Sequence, residues 1–193
     1  VALKVLFGHD EYRDGIDLNI EEFYAKLTGS GQLPTTSQPS PNDFLTEYEK
    51  AKAAGEEILV LTLSSQLSGT CQSAQLAKDY CEYETIYIVD GLSATIGTQL
   101  LLREAIRLRD AGQSARQIAA QLDQLKSRIV VLAAVDTLEF LVKGGRLSKA
   151  AGFAGSLLGI HPMITLEEGK LSVLGKARGK KATLQLFWQQ MEK

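Results

Sequence analysis

Between an apolar run at residues 58–63 and a helical pattern beginning near Thr70 lies Ser64-Ser65-Gln66-Leu67-Ser68-Gly69-Thr70. Hydroxyls and a glycine at a strand-to-helix junction bring a side-chain donor and unpaired backbone N–H groups to one spot. Such a spot seats a carboxylate or a phosphate. Ser68, with the N–H groups of Gly69 and Thr70, is the leading candidate donor set. The competing assignment is a plain N-cap serine that closes the helix start. Two further segments have the same hydroxyl-rich character ahead of helical patterns: Pro34-Thr35-Thr36-Ser37-Gln38-Pro39-Ser40 and Asp90-Gly91-Leu92-Ser93-Ala94-Thr95. Taken alone, Thr36 is a turn hydroxyl. Three such loops together predict one anion-binding crevice.

Other chemistries find less support. A serine nucleophile needs a general base within hydrogen-bond reach. His9 and His161 fall in no matching loop, and no Gly-x-Ser-x-Gly elbow is present. Gly144-Gly145-Arg146 is too short for a phosphate-binding P-loop. It reads as a tight turn followed by a solvated arginine. Lys176, Arg178, Lys180 and Lys181 form a small basic run, either a solvated face at a helix start or, for Arg178, a group facing an acid. Two isolated histidines make no metal site, and no cofactor is expected.

The elements that must position these residues follow from periodicity. A strand is predicted over 2–7. Asn19 with Glu22 forms a capping box for a helix over 20–27. Ser40-Pro41-Asn42-Asp43 is a strong helix start that Gly55 ends. Strands at 58–63 and 85–89 alternate with helices at about 70–81 and 96–111, and Ser114 with Gln117 opens another helix to residue 126. A strand over 129–135 lacks alternation, so burial on both faces is expected. Alternating strands and helices indicate the α/β class: a parallel sheet flanked by helices, with ligands beyond the carboxyl ends of the strands. The character then changes. Residues 162–166 and 171–177, joined by Glu167-Glu168-Gly169-Lys170, read as a β-hairpin. A closing helix over 180–193 carries Leu184, Phe187, Trp188 and Met191 on one side. Gly152, Gly155 and Gly159 with Leu157, Leu158 and Ile160 read as a close-packed helix. The expected organisation is an α/β domain over 1–127 and a second, smaller α+β domain over 128–193.

The chain has 193 residues and a formal net charge of −2, which disfavours nucleic acid as partner. No run is long and apolar enough for an integral membrane segment, and no signal peptide is read at the start. Cys71 and Cys81 are well separated along one predicted helix, so no disulfide between them is expected, and a reducing cytoplasm is the simplest setting. The chain opens with Val1, almost directly on a strand, which reads as a fragment.

Several segments in order resemble the DegV family. They are Tyr12-Arg13-Asp14-Gly15-Ile16-Asp17, Thr36-Ser37-Gln38-Pro39-Ser40, Ser64 through Thr70, and Asp136-Thr137-Leu138-Glu139-Phe140-Leu141 with Gly144-Gly145-Arg146. Gly155-Ser156-Leu157-Leu158-Gly159-Ile160-His161-Pro162 and Lys176-Ala177-Arg178-Gly179-Lys180-Lys181 complete the match. The resemblance implies a two-domain α/β protein that binds one long-chain fatty acid and presents it to the catalytic subunit of a fatty acid kinase, which forms an acyl phosphate. It implies that Thr36 and Ser68 hold the carboxylate, that Arg178 lies near the head group, and that Arg146 helps bind the kinase. Departures are an absent first strand with its Thr-Asp-Ser-type motif, an absent C-terminal part that carries a head-group histidine, Asp90-Gly91 in place of Asp-Ser, and His161 in place of a lysine. The alternatives are an acyl-transfer enzyme using Ser68 and a binder of a small phosphorylated metabolite.

Overall fold

A computed structural model describes residues 1–29, 31–148 and 159–192. In chain order the elements are β1 (Lys4–Phe7), β2 (Asp10–Arg13), α1 (Ile20–Gly29), β3 (Thr35–Ser37), α2 (Pro41–Ala54), β4 (Ile58–Thr62), α3 (Thr70–Cys81), β5 (Ile86–Asp90), α4 (Thr95–Asp110), α5 (Ala115–Leu125), β6 (Leu132–Ala134), α6 (Glu139–Lys143), β7 (Ile160–Glu167), β8 (Lys170–Arg178) and α7 (Gly179–Met191). The fold is mixed α/β, as expected.

The centre is a parallel pair. β4 and β5 run side by side with Ile58 opposite Ile86 and Thr62 opposite Asp90. Successive strand side chains point to opposite faces, so each strand feeds two cores. Ile58, Val60, Ile86 and Ile88 pack with Phe44 and Tyr48 of α2 and Ala74, Ala77 and Cys81 of α3. Leu59, Leu61, Tyr87 and Val89 pack with Leu101, Ala105 and Leu108 of α4 and Ile118 and Leu122 of α5. The result is three layers, helices on either side of the strands.

Local capping explains why the helices start where they do. Ser40 and Asp43 satisfy each other's backbone N–H groups at α2, with Pro41 in its first turn, and Gly55 ends the helix in the left-handed region at φ 69°. Ser114 and Gln117 form the same reciprocal box at α5. At α1 the Glu22 N–H donates to Asn19 Oδ1 at 2.9 Å and the Asn19 N–H to Glu22 Oε2 at 3.2 Å.

Several expectations are corrected. β1 does not extend the parallel sheet. It pairs antiparallel with β2 and β3 in a separate three-stranded sheet of order β2-β1-β3. Both partners escape sequence reading because β2 is Asp-Glu-Tyr-Arg and β3 is three exposed hydroxyl residues, neither with apolar alternation. The run at 129–135 is not buried on both faces. Only Leu132–Ala134 form a strand, at the edge of an antiparallel sheet of order β6-β7-β8, and Val130 is 72 % exposed. Nor does α7 bury the side expected of it. Leu184, Trp188 and Met191 are exposed, while Leu186 approaches Gly175 of β8.

The β7–β8 hairpin forms as expected, with Glu167 opposite Lys170. Its two turn residues, Glu168 and Gly169, both have positive φ, 49° and 81°, as two-residue hairpins favour. Its inner face joins Leu138 and Leu147 in a smaller core around Ile164. Of the helix expected around Gly152, Gly155, Leu157, Leu158, Gly159 and Ile160, the first four lie outside the described residues, while Gly159 is a turn residue with φ 76° and Ile160 opens β7 instead of a helix.

Candidate functional site

The carboxyl ends of β4 and β5 open onto a cavity of about 580 Å³. Three of its walls come from the three hydroxyl-rich segments: Thr36 to Gln38, Leu63 with Leu67 and Ser68, and Ala94 with Thr95. The opposite wall comes from the β6-β7-β8 sheet, the residue before it and α6, through Val131, Ala133, Leu141, Ile164, Leu166 and Leu171. Most lining side chains are aliphatic. Arg146 is the charged side chain among the described lining residues.

The loops are tied together by a carboxylate and a glycine. Asp90 Oδ1 accepts from the Ser65 N–H and the Leu92 N–H, each at 3.1 Å. The Gly91 N–H donates to the Thr62 carbonyl at 3.1 Å, and a Cβ at Gly91 would stand 2.7 Å from that oxygen. The close approach of two backbones therefore requires glycine after Asp90.

Thr36 and Ser68 line the same cavity. Ser68 is not the N-cap of α3; Gly69 is, with no side-chain cap. The Ser68 hydroxyl lies 2.8 Å from Thr70 Oγ1 and accepts the Thr70 N–H at 3.3 Å. This corrects the expected nest: the Thr70 N–H is directed at Ser68 rather than free for a ligand. Gly69 and Thr70 line none of this cavity. A Cβ at Gly69 would overlap the amide of Gln38, a lining residue that sequence reading passed over.

The two arginines stand differently toward the cavity. Arg146, assigned to a partner, is at the cavity. Its Nε donates to the Leu67 carbonyl at 3.1 Å and its Nη1 to the Gly144 carbonyl at 2.5 Å, so it spans from the α6 turn to the Ser68 loop. Gly145 has φ 76°, which confirms the tight turn there, but the arginine is engaged rather than simply solvated. Arg178, assigned to the head group, is an exposed residue at the far end of β8 from the lining residue Leu171 and does not line the cavity. At about 3.3 Å per strand residue the two are separated by roughly 20 Å. His161 is also turned elsewhere, its Nδ1 3.0 Å from Asp136 Oδ1. Among the described residues no group of three or more His, Cys, Asp or Glu is placed to hold a metal.

A family model for DegV proteins matches residues 1–193. The chain belongs to the DegV family. Among curated DegV domain-containing proteins, one from Caldanaerobacter subterraneus subsp. tengcongensis is 34% identical over 184 residues, covering 95% of this chain and 65% of the relative. The chain thus spans a little under two thirds of that DegV protein. A DegV family protein of Thermus thermophilus, solved in a study of its fatty acid binding, superposes with a TM-score of 0.84 at 36% identity, covering 98% of this chain and 69% of the other. The Fak B3 protein of the Streptococcus pneumoniae fatty acid kinase, solved with linoleic acid, superposes at 0.86 with 30% identity, covering 99% and 68%. These DegV structures share the fold described above, and no described helix here is long and apolar enough to cross a membrane.

Proposed function

We propose that this chain binds one long-chain fatty acid in the cavity between the ends of β4 and β5 and the β6-β7-β8 sheet, with the carboxylate at Thr36 and Ser68 and the tail along the aliphatic wall. One observation carries the reading: Thr36, Ser68 and Arg146 share a cavity whose lining is mostly aliphatic. A carboxylate needs several donors, because a buried charge without them is costly. A tail gains about 0.8 kcal/mol per buried CH₂. Fatty acid binding by DegV relatives of the same fold supports the reading.

The chain is a carrier that presents the carboxylate to a fatty acid kinase, in a reducing cytoplasm. Carriage rather than acyl transfer is favoured by the neighbours of Ser68. Its hydroxyl meets the Thr70 hydroxyl and N–H, groups unsuited to take its proton. Within the presenting complex, Arg146 combines two tasks, holding the Ser68 loop and offering an exposed guanidinium to the kinase.

Native mass spectrometry after gentle organic extraction tests this. One C16–C18 acid per chain is the expected result. A covalent acyl adduct on Ser68, or a phosphorylated metabolite without lipid, would overturn it.

A further inference from the structure

Ser64 is completely buried, yet it is not part of the cavity wall. Every polar atom it owns is used. Its N–H donates to the Ser93 carbonyl at 2.8 Å. Its carbonyl accepts from the Leu67 N–H at 3.0 Å and the Ser68 N–H at 3.2 Å. Its hydroxyl donates to the Gly169 carbonyl at 2.8 Å, 105 residues away, and accepts the Gln66 N–H at 3.1 Å.

These bonds converge from three places. Ser93 belongs to the β5–α4 loop, Ser68 to the β4–α3 loop, and Gly169 to the tip of the β7–β8 hairpin. The tip is fitted closely. A Cβ on Gly169 would overlap the Ser64 hydroxyl and come 3.2 Å from the Leu92 side chain, and the φ of +81° already favours glycine there. Leu92 itself holds a left-handed backbone, φ 46°. Strained backbone of that kind persists where the surroundings over-determine it. Leu166 and Leu171, on the strands just beside the hairpin turn, line the cavity.

We propose that Ser64 is a positioning residue for the fatty acid site: one hydroxyl locks the hairpin wall of the cavity onto the loop that aims Ser68. This rests on the fatty-acid reading above. Ser64 touches no ligand itself. Ser64 and Gly169 are both buried, so removing the hydroxyl leaves the Gly169 carbonyl without that partner. Ser68 then loses its alignment, and the tail loses one firmly held wall.

The test loads the full chain with palmitate labelled with ¹³C at the carboxyl carbon and records the carboxyl resonance by NMR. Ser64→Ala is expected to move the resonance toward its position in Ser68→Ala, and to raise the dissociation rate of a fluorescent fatty acid about tenfold. Gly169→Ala, whose new methyl displaces the same hydroxyl, is expected to give the same signature and carries the test if Ser64→Ala does not fold. Ser65→Ala, an exposed neighbour, is expected to match wild type in both. An unmoved resonance in Ser64→Ala with a lowered Tm would make Ser64 a merely structural residue and overturn the assignment. A wild-type chain that takes up no palmitate would overturn the ligand reading and the assignment with it.

Discussion

Replacing Ser68 by alanine separates the head-group contribution from that of the tail. The hydroxyl lines the cavity and accepts the Thr70 N–H, and with the Thr70 hydroxyl donating to it across 2.8 Å its own proton is left for a carboxylate oxygen. A hydrogen bond to a charged partner contributes about 1.5–3 kcal/mol, so the Kd of Ser68→Ala should rise by roughly 10- to 150-fold. A sixteen-carbon tail contributes on the order of 10 kcal/mol before ordering costs, so the variant still retains lipid. Shortening the acid by two carbons should weaken binding by about 1.6 kcal/mol, in wild type and variant alike. Displacement titrations with a fluorescent fatty acid over a C12–C18 series give the two parallel lines this requires. With a partner kinase, acyl phosphate formation should fall further than lipid retention, because phosphoryl transfer depends on the aim of the head group. Folding is touched little, since only the Ser68–Thr70 contacts are lost, about 1 kcal/mol on the Tm curve. A Kd within twofold of wild type, or lines that converge with chain length, would refute the reasoning, for the hydroxyl would then not be acting on the head group.

Two further outcomes follow from the same geometry. Gly69→Ala should push the flexible end of Gln38 out of its place in the cavity wall, changing the order of preference among acyl chains in a competition titration while the Tm moves little; unchanged preference would remove Gln38 from the wall. The Asp43 carboxyl is held below its ordinary value of 3.8, first by the Ser40 hydroxyl and then by the Ser40 N–H. A lowered folded-state value means that the cap's contribution is full above the unfolded value and is lost as pH falls through the folded one. Thermal melts should therefore show an acid limb below about pH 4 that Asp43→Asn flattens, with a cost at neutral pH of about 1 kcal/mol. An identical limb in the variant would assign it elsewhere, for example to Asp17, whose carboxyl the Arg13 side chain and N–H lower to about 2.

Signals confined to a few neighbouring residues were legible without coordinates. The reciprocal boxes at Ser40–Asp43 and Ser114–Gln117, the apolar runs of β4 and β5 and the glycine turn of the last hairpin each depend on local sterics or on hydrogen bonds spanning three or four residues. The placement of Ser68 and Thr95 at one cavity was legible for a related reason: loops after parallel strands collect at one end of the sheet, whereas Thr36 reaches the cavity from the separate antiparallel sheet. What escaped depends on partners far along the chain. β3 is three hydroxyl residues that become a strand only because β1 offers an unpaired edge. The run at 129–135 has the apolar composition of a buried strand, but pairing with β7 alone leaves it at an edge. The family resemblance implied Arg178 near the head group and Arg146 at the kinase; in the tertiary structure Arg146, and not Arg178, is part of the cavity wall. β8 carries Arg178 away from the cavity, and the α6 turn swings Arg146 onto the Leu67 carbonyl. The bond from Ser64 to Gly169 has no local signature at all. A serine hydroxyl has many uses in a loop, and only the docking of the β7–β8 hairpin against the loop after β4 selects this one.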